Sequence, residues 1–263
     1  MCGVRVLLIE DHRPYAELVA RELAQSFDMS VSTVPDPVAA RPLIEAEHFD
    51  VIVVDLFYTH LTQPYARRRL ARNISLTADR EFHISGLAVQ ASRQEGRPPL
   101  VISTTGEDTR ELHIVLASED LGVCSYYSKG TGDLTFGALA SAIEAAADGR
   151  HHSDPELDPY LPRRGQRPIS ELLFGRESWR GIWRACALQI RGHRNIASLI
   201  GYSPKTVRIE VGNMVEALNE LNPGLSVAGS PSDVVVSYAD RHWEFFLDDT
   251  VMRLYPPPGF GKR

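Results

Sequence analysis

The chain has no apolar run approaching the roughly 18 consecutive residues that a membrane-spanning helix needs, and its first residues enter a strand pattern at once where a cleavable leader would show an apolar core. Cysteine is scarce: Cys2, Cys124 and Cys186 are odd in number and lack metal-ligand spacing, which excludes a disulfide framework and fits a reducing interior. A cytoplasmic protein with no membrane partner is the expectation. Strong charge of one sign is missing too, with 28 basic against 34 acidic residues and a net charge of −6. The balance is uneven, however. Residues 1–150 carry 14 basic and 21 acidic side chains, net −7, whereas 167–222 carry eight and five, net +3. An acidic front half followed by a locally basic segment suits a regulatory module joined to a nucleic-acid binder.

What is present in the first 150 residues is an alternation of short β-rich runs with longer amphipathic stretches. Strands are expected at 4–9, 30–34, 51–55, 100–104 and 123–127, with helices at about 13–25, 37–46, 86–95, 109–119 and 133–147. This is a (βα)5 order, an α/β class with a doubly wound, flavodoxin-like parallel sheet covered by helices on both faces. One connection breaks the rhythm. The stretch from about 56 to 85 is far longer than the 2–6 residues typical of such loops, and it carries the basic run Arg67-Arg68-Arg69. It reads as an insertion, either a solvated excursion or a lid or docking element.

Two of the apolar runs end in acids. Val4 to Ile9 is followed by Glu10 and Asp11, and Val51 to Val54 by Asp55. In an open parallel sheet these carboxylates converge beyond the carboxyl ends of the strands, where ligands bind. Like charges held together repel unless a cation or proton neutralises them. A hard divalent ion with oxygen ligands, Mg²⁺, would do so and leave positions for phosphate oxygens. Asp55 is then placed as a nucleophile for phosphoryl transfer, which needs little besides positioning and charge neutralisation. Thr104 offers a hydroxyl donor, Lys129 a mobile positive charge, and Tyr126 an aromatic ring that turns inward or outward with Thr104. No separate general acid accompanies Asp55, so an enzyme with steady turnover is not expected.

Residues 151–168 are rich in proline and charge and short of apolar periodicity, and read as a linker. Beyond them, Trp179, Ile182, Trp183, Cys186 and Ile190 repeat at three and four, as a helix with one buried stripe does. His193 to Ile200, Gly201, then Ser203-Pro204 opening a second helix is helix-turn-helix grammar. On that second helix Val207, Val211, Met214 and Leu218 share an inward face. Lys205, Arg208, Ile209 and Gly212 lie opposite, facing a groove, with the two basic residues able to reach guanine edges or phosphates. Glu210 and Glu216 are unfavourable neighbours for phosphates. The tail, Val234 to Tyr238 and His242 to Leu247, reads as a β-hairpin that packs on the core or serves as a wing.

The constellation Glu10-Asp11, Asp55, Thr104 and Lys129 with Tyr126 resembles the receiver domain of two-component response regulators over roughly residues 3–150. Asp11-His12-Arg13-Pro14, Gly122 to Gly130 and Gly149 to Leu157 resemble the NarL/LuxR-like subgroup, whose effector is a helix-turn-helix. Arg194, Ile196-Ala197, Ser203 and Lys205-Thr206-Val207-Arg208 match that effector's motif. The resemblance implies a receiver over 1–150, a linker over 151–168 and a helix-turn-helix DNA-binding domain with a C-terminal extension over 169–263. It implies that Asp55 accepts a phosphoryl group from a cognate sensor histidine kinase. Mg²⁺ would be held by Asp11, Asp55 and the Phe57 carbonyl, assisted by Glu10, with Thr104 and Lys129 on the phosphoryl oxygens. A homodimer would engage duplex DNA through Lys205, Thr206, Arg208, Ile209, Gly212 and Arg194. The family usually continues after its acceptor with a Met-Pro type turn; here Leu56-Phe57-Tyr58-Thr59 and the insertion follow. Two alternatives remain open: a receiver controlled by a ligand or partner without phosphorylation, and an output that binds protein or RNA in place of duplex DNA.

Overall fold

The computed structural model describes residues 3–56, 58, 98–104, 110–130, 136–162, 165–222 and 229–258. They fall in two compact units, one running to Leu161 and one starting at Pro162. Most of the 56–85 insertion, the helix expected at 86–95 and the Phe57 carbonyl lie outside the described residues.

The first unit is built on β1 (Arg5–Ile9), β2 (Ser30–Val34), β3 (Val51–Asp55), β4 (Leu100–Thr104), β5 (Ser125–Ser128) and the two-residue β6 (His152–Ser153). All pair in parallel, in the order β2-β1-β3-β4-β5-β6. Strands β3 and β4 are buried at every residue, as a sheet covered on both faces requires, and this is why they read as continuous apolar runs. The helices are α1 (Arg13–Phe27), α2 (Pro37–Ala46), α3 (Glu111–Glu119) and α4 (Phe136–Ala147). Val6, Leu8, Val51, Val53 and Val101 form one core layer with Ala16, Val19 and Leu23 of α1 and Leu139, Ile143 and Ala146 of α4. The alternate residues Leu7, Ile9, Ile52, Val54 and Ile102 are equally buried, as period-2 alternation demands.

The sheet has one strand more than the sequence reading expects. His152 and Ser153 pair with Ser125 and Tyr126, and Leu157 is fully buried, so the start of the proline-rich stretch packs with the first unit. A strand of two residues has no detectable periodicity.

The second unit is helical: α5 (Ile169–Leu172), α6 (Glu177–Ala187), α7 (His193–Ile200), α8 (Pro204–Leu221), α9 (Pro231–Arg241), α10 (Trp243–Leu247) and α11 (Asp249–Leu254). Gly201 ends α7 at φ +76°, a left-handed conformation that glycine adopts without strain. At Gly181 a methyl group would sit 2.8 Å from Ile200 Cγ2 and 3.2 Å from Pro258 Cδ, so the missing side chain lets α6 approach α7 and the C-terminal prolines.

The hairpin expected over 234–247 is not formed; the segment is α9 and α10. Ser230 and Asp233 make a reciprocal capping box ahead of Val234, with Pro231 in the first turn. Val234, Val235, Tyr238 and Ala239 then bury one helical face. The β-branched Val234-Val235-Val236 run imitates a strand, but the cap and the apolar face both favour helix. The segment completes the core of its unit: Phe246 stacks on Trp183 at 4.6 Å and Tyr255 on Phe174 at 4.3 Å. Trp183 is buried and donates from Nε1 to the Leu173 carbonyl at 3.0 Å, which makes it a core residue, not a stacking platform.

Candidate functional site

After β1 the chain crosses to β2 on one side, and β3 returns on the other side of β1, so the strand order reverses between β1 and β3. That crevice is where open α/β sheets bind ligands. The β1–β3 register pairs Ile9 with Val54, so Glu10 and Asp55 leave their strands side by side. Asp11 follows, and one carboxylate oxygen from each of Glu10, Asp11 and Asp55 lies within 4.8 Å of the others. Glu10 and Asp55 are 5% and 7% exposed.

Lys129 reaches this cluster from the end of β5. Its Nζ donates to Glu10 Oε2 and to Asp55 Oδ2, each at 2.6 Å, and lies 5.3 Å from the centre of the Tyr15 ring. Burial pushes the Glu10 carboxyl above its ordinary range; Lys129 opposes the shift, and the Asp55 charge adds to it. At Glu10, burial thus outweighs the contact with Lys129. The fully buried Tyr58 phenol is raised far above its usual range, by burial first and then by the carboxylates of Asp55, Glu10 and Asp11. These donors are hard oxygens at short mutual range, which fits Mg²⁺.

Thr104 ends β4 beside this edge, because Asp55 pairs with Ser103. Its carbonyl accepts from the Lys129 amide at 2.7 Å, and its fully buried hydroxyl accepts from Arg110 Nη1 at 3.1 Å. Tyr126 is turned inward, fully buried, with its hydroxyl donating to the Val123 carbonyl at 2.8 Å.

Sequence reasoning missed Arg110 and the partners of Ser128. The Ser128 amide donates to Asp154 Oδ2 and its hydroxyl to Glu156 Oε2, each at 2.6 Å. The segment after β6 therefore grips the residue next to Lys129. No local spacing announces contacts between residues 26 and 28 apart.

In the second unit, Ser203 caps α8 by accepting from the Thr206 amide at 3.0 Å, and the two hydroxyls pair at 2.8 Å. Thr206 is thus part of the cap. Val207, Val211, Met214 and Leu218 are buried; Lys205, Arg208 and Ile209 are exposed, Ile209 by 51%, with Gly212 half-buried beside them and Arg194 exposed on α7. Glu210 does not face outward as the sequence suggests. It accepts from Trp179 Nε1 at 2.7 Å, Arg176 Nη1 at 2.8 Å and Asn213 Nδ2 at 3.3 Å. Burial pushes its carboxyl up, but these donors outweigh burial and hold it below the usual range. Its charge is compensated within the unit, whereas Glu216, four residues beyond Gly212, is exposed on the side of α8 that carries Lys205, Arg208 and Ile209.

Among the described residues no helix is long and apolar enough to cross a membrane. No family model and no curated protein matches the sequence. Solved structures do. RcsB from Salmonella enterica serovar Typhimurium, bound to the promoter P1flhDC in the presence of the phosphomimetic BeF3⁻, is 14% identical and matches with a TM-score of 0.55 over 91% of this chain and 98% of its own. An RcsB–DNA complex described as a two-component response regulator is 17% identical, TM-score 0.53, over 91% and 98%. The Salmonella typhimurium RcsB response regulator, studied for its conformational dynamism in DNA interaction, is 17% identical, TM-score 0.52, over 90% and 98%. These likenesses show the fold, a receiver-like α/β unit followed by a helical unit.

Proposed function

We propose that the chain is a DNA-binding response regulator of transcription that takes a phosphoryl group on Asp55 from a sensor histidine kinase. The carrying observation is the placement of Asp55 at the reversal of strand order, with Glu10 and Asp11 beside it and Lys129 at 2.6 Å. An Asp55 oxygen attacks the phosphorus of a phosphohistidine, the P–N bond breaks, and the departing imidazole nitrogen takes up a proton. Lys129 shifts from the carboxylates to the phosphoryl oxygens, and the Thr104 hydroxyl donates to another. Glu10, Asp11 and Asp55 would hold Mg²⁺, which would supply positive charge to offset that of the phosphoryl group. With Lys129 directly on Asp55, the acceptor oxygen is screened until that contact loosens.

The output is read from α8. Lys205, Arg208 and Ile209 enter a major groove, Arg194 approaches a phosphate, and a homodimer places two such helices on half-sites one helical turn apart. The likeness to DNA-bound RcsB supports this reading.

The test is incubation with a small phosphodonor and Mg²⁺, followed by intact mass measurement and duplex binding. A gain of one phosphoryl group in the wild type, absent in Asp55→Asn, with tighter duplex binding after phosphorylation, is expected. No gain in the wild type would move control from phosphorylation to a ligand or partner.

A further inference from the structure

We propose that Arg110 is a second phosphoryl-contacting cation of the same site, acting alongside Lys129. This rests on the phosphoryl-acceptor reading above. Three observations carry it. Arg110 Nη1 donates to the Thr104 hydroxyl oxygen at 3.1 Å, so the guanidinium lies against the side chain that ends β4, next to the strand that delivers Asp55. By donating to the oxygen it leaves the hydroxyl proton to point elsewhere, which is the orientation Thr104 needs to serve as a donor.

The second observation concerns the helix. Arg110 stands at the N-cap of α3 and makes no side-chain capping bond. A cation is disfavoured at a helix N-terminus, where the dipole is positive, and Ser, Thr, Asp or Asn would stabilise that position. The backbone of Arg110 serves the helix, its carbonyl accepting from the His113 and Ile114 amides at 3.1 Å, while its side chain reaches the sheet edge at Thr104.

The third is charge. Glu10, Asp11 and Asp55 bring three carboxylates, and Lys129 is bound to two of them. A phosphoryl group on Asp55 would add roughly one further negative charge and three acceptor oxygens. The planar five-donor fork of an arginine lets one N–H hold Thr104 while a neighbouring one meets a phosphoryl oxygen. Arg110 thereby couples the occupant of the site to the first turn of α3.

The experiment uses the full chain and beryllofluoride as phosphoryl mimic, in wild type, Arg110→Gln and Arg110→Ala. Mg²⁺ affinity without beryllofluoride serves as the control, because the bond that places Arg110 at this edge goes to Thr104, whereas the ion would be held by the carboxylates. Expected is a loss of beryllofluoride affinity of about tenfold or more in both variants, with Mg²⁺ affinity within twofold of wild type. Arg110→Gln keeps a donor for Thr104 without the charge, so it stays informative if Arg110→Ala fails to fold. Wild-type affinity for beryllofluoride in the variants, or an equal loss of Mg²⁺ and beryllofluoride binding, would overturn the role of Arg110 and leave the acceptor reading intact. A wild type that binds Mg²⁺ and not beryllofluoride would instead overturn the acceptor reading, and this inference with it.

Discussion

Lys129 Nζ lies 2.6 Å from Asp55 Oδ2 and the same distance from Glu10 Oε2, with its side chain 14% exposed. The lysine is therefore a counter-ion as well as a candidate phosphoryl contact. Removing one partner of a buried ion pair leaves an uncompensated charge and costs about 3 kcal/mol. Lys129→Met is expected to destabilise the first unit by that amount in the absence of metal. Millimolar Mg²⁺ should restore part of the loss, since it offsets the same charges. Hydrogen exchange of peptides from β1 and β3 measures this locally. An unchanged deficit on adding Mg²⁺ would argue against the carboxylates as its ligands.

The acidic edge was legible because strands buried on both faces are continuous apolar runs, and an acid closing such a run stands out: Glu10 after Ile9, Asp55 after Val54. The α7–α8 turn was legible from Gly201, Ser203 and Pro204, each tied to a backbone conformation or cap. What escaped was either a local cap outweighed by composition or a side chain placed by tertiary contact. Val234-Val235-Val236 has strand-like composition, and the Ser230/Asp233 cap upstream decided for helix. Glu210 lies one position from the exposed Ile209, yet Trp179 and Arg176 draw it inward from 31 and 34 residues away. Arg110 was hidden although its partner Thr104 is only six residues away, because no periodicity or cap pattern marks a side chain that reaches back to the end of a strand.

Exposure of Lys205, Arg208 and Ile209 on one side of α8 separates two kinds of DNA contact. Lys205→Ala should weaken binding on all duplexes and reduce the slope of log K against log salt by about 0.9 if it meets one phosphate. Ile209→Ser should leave the slope unchanged and alter preference where an apolar side chain meets a thymine methyl. Binding titrations at four salt concentrations, with thymine-to-uracil substituted sites, read both. Equal effects of the two substitutions on the slope would mean that Ile209 supports the helix without reading bases.

Glu210 offers a test of charge against architecture. If its carboxylate simply repelled phosphates, Glu210→Ala would tighten DNA binding. The hydrogen bonds from Trp179, Arg176 and Asn213 make the opposite outcome the expected one. Truncation leaves the partly buried indole N–H without its acceptor and should destabilise the second unit by about 2 kcal/mol, with DNA affinity lowered or unchanged. All three tryptophans, Trp179, Trp183 and Trp243, lie in that unit, so urea unfolding followed by tryptophan fluorescence reports its stability alone.

The same fluorescence signal gives a pH prediction for His242. This histidine is 1% exposed, its ring is 4.5 Å from that of Tyr238, and burial, reinforced by the neighbouring Arg241 charge, lowers its pKa to about 4. In the unfolded chain it titrates near 6.5. Between those values the unfolded state binds more protons than the folded one, so stability rises with pH and falls as pH drops through 6.5 toward 4. Taking the second unit from pH 7 to pH 5 should cost it about 2 kcal/mol through this group. His242→Gln, which keeps a polar side chain and cannot titrate, should flatten that slope whatever its own effect on stability at neutral pH. A slope that persists in His242→Gln would assign the acid sensitivity to other groups of the unit that titrate between pH 7 and pH 5; Glu210 is not one of them, since its depressed pKa confines the loss of its ion pairs to lower pH.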